Sequence, residues 1–147
     1  MQRSPATHVP DAAWFAATVS CSAACPVGTD AAGYVQAIAA GELELAYDLA
    51  RAHNPFPSVC GRVCSAPCER ACRRGVVDAP IAIRALKRVV SEQFGADGLQ
   101  TSRWHDAHGV VPRATRPSVG IVGAGPAGLA AAYALRLAGH AVTVYER

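Results

Sequence analysis

The stretch CGRVCSAPCERAC, running from Cys60 to Cys72, sets a thiol at every fourth position: Cys60, Cys64, Cys68 and Cys72. Upstream, the pair Cys21 and Cys25 repeats that spacing. Six cysteines so placed are too regular for chance and too dense for packing alone. Thiolates gathered this closely can hold a soft metal centre, and few centres fit. A straight helix would line the four sulfurs along one side. Gly61 and Pro67 argue instead for two short turns, with Pro67 in the first turn of the second.

Iron–sulfur cubanes take thiolate donors, usually four. Zinc also accepts four thiolates, but zinc sites commonly bring ligands as C-x2-C pairs, and this chain has none. Cys25-Pro26 and Pro67-Cys68 place prolines beside thiols, as in ferredoxin-type runs. The spacing therefore favours iron–sulfur over zinc. In a secreted protein the same thiols could pair as disulfides. The segment Ala12–Cys21 is a poor export signal, being short and preceded by Asp11 where a signal carries positive charge. A cytoplasmic location, with reduced thiols available for metal, is the expectation.

Outward from the cysteines the pattern is helical. Asp30 suits an N-cap for a helix over about 30–40, with Tyr34, Val35 and Ile38 as its apolar stripe. Gly41 breaks it. A second helix is expected over about 42–53, with Leu43, Leu45, Ala46, Leu49 and Ala50 apolar, ended by Asn54-Pro55-Phe56-Pro57. A third is expected over about 80–94, with Ile81, Leu86, Val89, Val90 and Phe94 apolar, its start marked by Asp78 and Pro80. Residues 1–20 read as a flexible lead-in, 21–96 as a helical cluster-binding domain and 97–117 as a linker. His105 and His108 have metal-like spacing, but nothing nearby could complete a site, so they read as loop histidines.

From Ser118 the character changes. Val119–Val122 reads as a buried strand, 126–138 as an alanine-rich helix stopped at Gly139, and 141–145 as a second strand. Between strand and helix lies Gly123-Ala124-Gly125-Pro126-Ala127-Gly128, which fits G-x-G-x-x-G. Gly123 permits the tight turn, Gly125 admits a pyrophosphate, and Gly128 allows close helix–strand packing. The helix N-terminus offers free N–H groups to phosphate. Glu146 ends the second strand, where an acid can bind a ribose hydroxyl, with Arg147 beside it. The acid favours FAD or NAD over a 2′-phosphate. Residues 118–147 are thus the first β–α–β of an FAD/NAD-binding Rossmann-type α/β domain, which follows an α-helical iron–sulfur domain.

Size and charge narrow the function further. The chain has 147 residues, is 51% hydrophobic and only 6% aromatic, and carries a net charge of +3. That allows one ordinary domain or two small ones, with a light core. Scattered arginines, with a short cluster at Arg70, Arg73 and Arg74, form no basic stripe with stacking aromatics, so a nucleic-acid partner is not expected. No apolar run approaches a membrane span.

Four segments together resemble a family: CSAACPVGTD (21–30), NPFPSVCGRVCSAPCERACRRG (54–75), APIAIRALKR (79–88) and VGIVGAGPAGLAAAYALRLAGHAVTVYER (119–147). They are similar to the small (β) subunit of glutamate synthase and to the N-terminal part of dihydropyrimidine dehydrogenase and related NAD(P)H-dependent flavoprotein oxidoreductases. The resemblance implies [4Fe-4S] clusters, FAD and NAD(P)H, with electrons relayed between them and a larger catalytic or electron-accepting subunit. It also implies that this chain is the N-terminal part (truncated) of a longer flavoprotein and by itself inactive. One family cluster takes thiolates matching Cys25, Cys64 and Cys68 plus a Gln or Glu. That fourth position falls here on Lys87, which cannot ligate iron as an ammonium, and Cys60 stands in for it. Cys21 and Cys72 match ligands of the other family cluster, whose C-x2-C pair is missing. The expectation is one [4Fe-4S] on Cys25, Cys60, Cys64 and Cys68, with a second left open. The alternative is a non-catalytic adaptor, with a structural cluster or zinc, docking to a larger redox enzyme.

Overall fold

A computed structural model describes residues 10, 11, 14, 18–95, 113 and 115–147. Most of the expected lead-in and linker, with His105 and His108, lies outside the described residues.

The first part is helical. A short α1 (Ser20–Ala23) carries Cys21. Next, α2 (Ala31–Ala39) starts where the Asp30 carboxylate accepts the Gly33 N–H at 2.8 Å, which satisfies an otherwise orphaned helix-start donor. The turn to α3 (Leu43–Arg51) passes through Gly41 at φ +82°, a left-handed conformation that glycine adopts without strain. Ala46 and Ala50 are fully buried and, being small, let α3 close down on α2.

Two short helices then carry the cysteine run, α4 (Pro57–Val63) and α5 (Pro67–Arg70), each with proline at its first turn. A 3-10 turn over Arg73–Val76 leads to α6 (Ile83–Phe94). The sequence reading is right that the run divides in two, but Gly61 does not divide it. Gly61 lies inside α4, buried against α6, where an added Cβ would stand 3.0 Å from Arg88 Cα. Glycine is there for close helix approach, and the break falls at 64–66.

Nor does α6 begin at Pro80. It begins at Ile83, where Glu69 of α5 reaches across to accept the Arg84 N–H at 2.8 Å. A tertiary cap sets that boundary, not the local Asp78 and Pro80 signals. Two expected core positions are also on the surface: Leu45 is 49% exposed and Val89 53%. On α6 it is Lys87, at 9% exposure, that faces inward with Ile83 and Val90.

The second part is β1 (Val119–Val122), α7 (Pro126–Leu137) and β2 (Val142–Tyr145). The strands pair in parallel, with Val119 opposite Val142 and Val122 opposite Tyr145. A parallel pair needs a crossover, which α7 provides. The helix closes at Ala138, and Gly139 at φ +88° turns the chain back, one residue beyond the cap.

Candidate functional site

The helical part brings thiols from separate elements to one buried side chain, Tyr34 of α2. Its phenol, 1% exposed, donates to the Ile83 carbonyl at 3.1 Å. Its pKa is pushed far up, first by burial and then by nearby negative charge on Cys68, Cys25 and Cys21. Cys64 in turn acts on Cys68. Cys21 and Cys68 both pack on the hydrophobic core, as α1 lies against α5. All six cysteines are unpaired and half-buried, so the disulfide alternative has no counterpart in the structure.

The thiols are not equivalent. Burial alone would raise the Cys25 pKa, but hydrogen bonds from Thr29 and the Val27 N–H, with the charge of Lys87, bring it below the usual thiol value. The Thr29 hydroxyl is buried with no partner at normal hydrogen-bond distance, and its effect on the Cys25 thiol comes after that of the Thr29 N–H and ahead of that of the Val27 N–H. Cys68 moves the other way: burial raises its pKa, and the Glu69 carboxylate adds to that, against a lowering by the Glu69 N–H and Lys87.

The turn between Cys64 and Pro67 is held in an unusual shape. Ala66 has φ +50°, a left-handed conformation that costs a non-glycine residue energy. Its N–H points at Cys64 Sγ at 3.4 Å. Two guanidinium groups tie the turn down: Arg84 donates to the Cys64 carbonyl at 2.7 Å, and Arg70 to the Ser65 carbonyl at 2.6 Å. Both neutralise carbonyls that the broken helix leaves unpaired.

Cys60 and Cys72 stand apart. The Cys60 thiol lies 3.8 Å from Asn54 Oδ1, and the same buried oxygen accepts the Phe56 N–H at 3.0 Å. Cys72 opens the 3-10 turn and acts on Arg74. No three Cys, His, Asp or Glu side chains among the described residues converge tightly enough for a single metal ion. A cubane spreads its ligand sulfurs around a larger body. The donor set fits one: soft thiols from two short helices and the loops beside them, Cys25 already acidified and a backbone N–H aimed at Cys64.

Several contributors were not visible from the pattern. Thr29 and Asn54 act on thiols a few residues away through the turns between them, and Arg84 acts across elements. Glu69 acts both as cap of α6 and as a charge beside Cys68. Only Lys87 left a signal, as an ammonium where the resembled family has an oxygen ligand.

In the second part, the glycine loop stands as its spacing predicts. Gly123 has φ +101°. A Cβ on Gly128 would collide with the Gly123 carbonyl, at 2.0 Å, whereas one on Gly125 would meet nothing. The space beside Gly125, at the N-terminus of α7, is what a pyrophosphate needs. Ala124 N–H donates to the Glu146 carboxylate, so the acid that ends β2 also ties down the loop. Pro126 and Ala127 form the first turn of α7, and Arg147 is exposed next to Glu146.

Comparison with known proteins follows this division. A family model described as dihydropyrimidine dehydrogenase domain II, 4Fe-4S cluster, matches residues 14–99, more than half of the chain. The chain belongs to this family. A second model, an NAD(P)-binding Rossmann-like domain, matches residues 121–147. The NADPH-Fe(3+) oxidoreductase subunit beta of Geobacter sulfurreducens is 42% identical over 134 residues, covering 88% of this chain and 18% of the relative. The NADP(+)-dependent formate dehydrogenase subunit beta of Moorella thermoacetica is 39% identical, covering 88% of this chain and 20% of that protein. The glutamate synthase [NADPH] small chain of Mycobacterium tuberculosis is 37% identical, covering 86% and 25%. The chain thus spans a quarter or less of the length of these three relatives. The resemblance and the fold class read from the sequence are borne out, as are [4Fe-4S] and NAD(P) as cofactors. No helix among the described residues is long and apolar enough to cross a membrane.

Proposed function

We propose that this chain is the iron–sulfur module, joined to the start of the FAD-binding domain, of a cytoplasmic NAD(P)H-dependent oxidoreductase. It serves electron transfer between NAD(P)H, FAD and [4Fe-4S], and onward to a larger catalytic or electron-accepting subunit. A cluster, when bound, supplies one-electron steps, and a flavin joins these to the two-electron chemistry of nicotinamide. The chain's own residues bind and orient: Cys25, Cys60, Cys64 and Cys68 are the proposed ligands. Gly123 to Gly128, with Glu146 and Arg147, form the proposed nucleotide cradle. No acid, base or nucleophile is needed for such a relay.

The observation that carries the reading is that Cys21, Cys25 and Cys68 all act on the buried Tyr34, with Cys64 acting on Cys68, in one chain with an open glycine loop. Relatives named as NADPH- or NADP(+)-dependent oxidoreductase subunits support it. The Cys60 assignment rests on sequence position, since its thiol is turned to Asn54. Cys21, which acts on Tyr34 with Cys25 and Cys68, belongs with Cys72 to any second cluster. The test is iron uptake by reconstituted variants. Cys64→Ala should lose most of the bound iron, whereas full retention refutes the site. Cys60→Ala should likewise lose most of the iron, whereas Cys21→Ala should leave the first cluster loaded.

A further inference from the structure

The least expected charge in the molecule is Lys87. Its side chain points into the helical core at 9% exposure, and no carboxylate among the described residues pairs with it. Its ammonium sits 5.5 Å from the centroid of the buried Tyr34 ring, the side chain on which Cys21, Cys25 and Cys68 also act. Its charge acts on both Cys25 and Cys68. Glu69, which like Lys87 acts on Cys68, gives its carboxylate to the Arg84 N–H at 2.8 Å. A buried ammonium without an anion is expensive to keep, and cation–π contact with one ring offsets only part of that. The neighbouring groups that can become anionic and balance it are thiols.

We infer that Lys87 is a fixed internal counter-charge for the metal centre, a positioning residue that ligates nothing but holds the reduced centre more tightly than the oxidised one. The inference rests on the proposed cluster reading. Reduction of the centre adds one electron, from a reduced flavin or nicotinamide, and no bond to Lys87 forms or breaks. Negative charge at the thiolate-bound centre grows by one while the ammonium is unchanged, so attraction increases on reduction. Net charge around a cluster is one of the determinants of its potential. The same lysine is a liability in the metal-free chain and an asset in the loaded one.

The test uses the full chain, reconstituted with iron and sulfide, and its Lys87→Met and Lys87→Arg variants. Methionine keeps length and removes charge; arginine keeps charge. In an EPR-monitored redox titration, K87M should make the centre harder to reduce by about tenfold, a potential about 59 mV more negative, as one charge at moderate effective dielectric allows. K87R should return it close to the wild-type value. Equal potentials in wild type and K87M, or an equal fall in K87M and K87R, overturns the proposal and leaves the cluster reading standing. A wild-type chain that takes up no iron overturns both. If K87M does not load, thermal unfolding of the metal-free chains decides. A higher midpoint in K87M supports an uncompensated ammonium in the wild type; an equal or lower one overturns it.

Discussion

The chemistry of the candidate centre is set by single side chains acting in opposite directions. Cys25 and Cys68 lie beside the same lysine and are both partly buried, yet Cys25 is acidified and Cys68 is not. The difference lies in the several donors of Thr29 and Val27 that face Cys25, where Cys68 has the Glu69 N–H alone and the Glu69 carboxylate acting against it. A thiol with a lowered pKa is a thiolate over more of the pH range, and the thiolate is the form that reacts and binds metal. In the metal-free chain, iodoacetamide labelling followed residue by residue by mass spectrometry should therefore show Cys25 reaching half its maximal rate at a lower pH than Cys68. The comparison of pH midpoints is independent of how accessible each sulfur is. The reverse order, or coincident midpoints, would contradict the local environments described. Neither environment could be read from the sequence, because both depend on which amides and carboxylates the fold brings to each sulfur.

At the scale of elements, the decisive contact is between α4 and α6. Gly61 is the contact point, with no room for a side chain against the Arg88 backbone. That packing fixes where Cys60 and Cys64, on and just after α4, stand relative to Lys87 on α6. Gly61→Leu should push the helices apart, lowering unfolding stability by about 1–3 kcal/mol and reducing iron uptake. An unchanged urea midpoint with full iron would show that the helices do not need to touch there. The helices themselves were legible: Asp30 as a cap, Gly41 as a break, and Pro67 at a helix start all act as their chemistry requires. What was not legible follows from contacts across the chain. Gly61 reads locally as a breaker but is a spacer. Pro80 reads as a start, but Glu69 supplies the cap three residues later. Val89 extends an apolar stripe on paper, while Lys87 takes an inward position. The glycine loop, by contrast, was more legible, since Gly123 answers a left-handed φ and Gly128 a close approach within the loop, while Gly125 leaves open space.

For the whole molecule, the cysteine-bearing helices and the β–α–β unit are two parts with separate logic, one arranged around thiols and one around a phosphate-sized gap. The two family models match these parts separately, at residues 14–99 and 121–147. Their conjunction in one chain is what makes electron relay a more economical account than a structural metal alone. That account depends on the thiols holding iron and sulfide. The most direct measurement is iron and acid-labile sulfide per chain after anaerobic reconstitution, with visible and EPR spectra of the reduced protein. The account predicts about four of each, with a cubane spectrum on reduction. About eight would add a second cluster through Cys21 and Cys72. A colourless chain that takes up zinc and retains no iron or sulfide would contradict it and leave a structural adaptor.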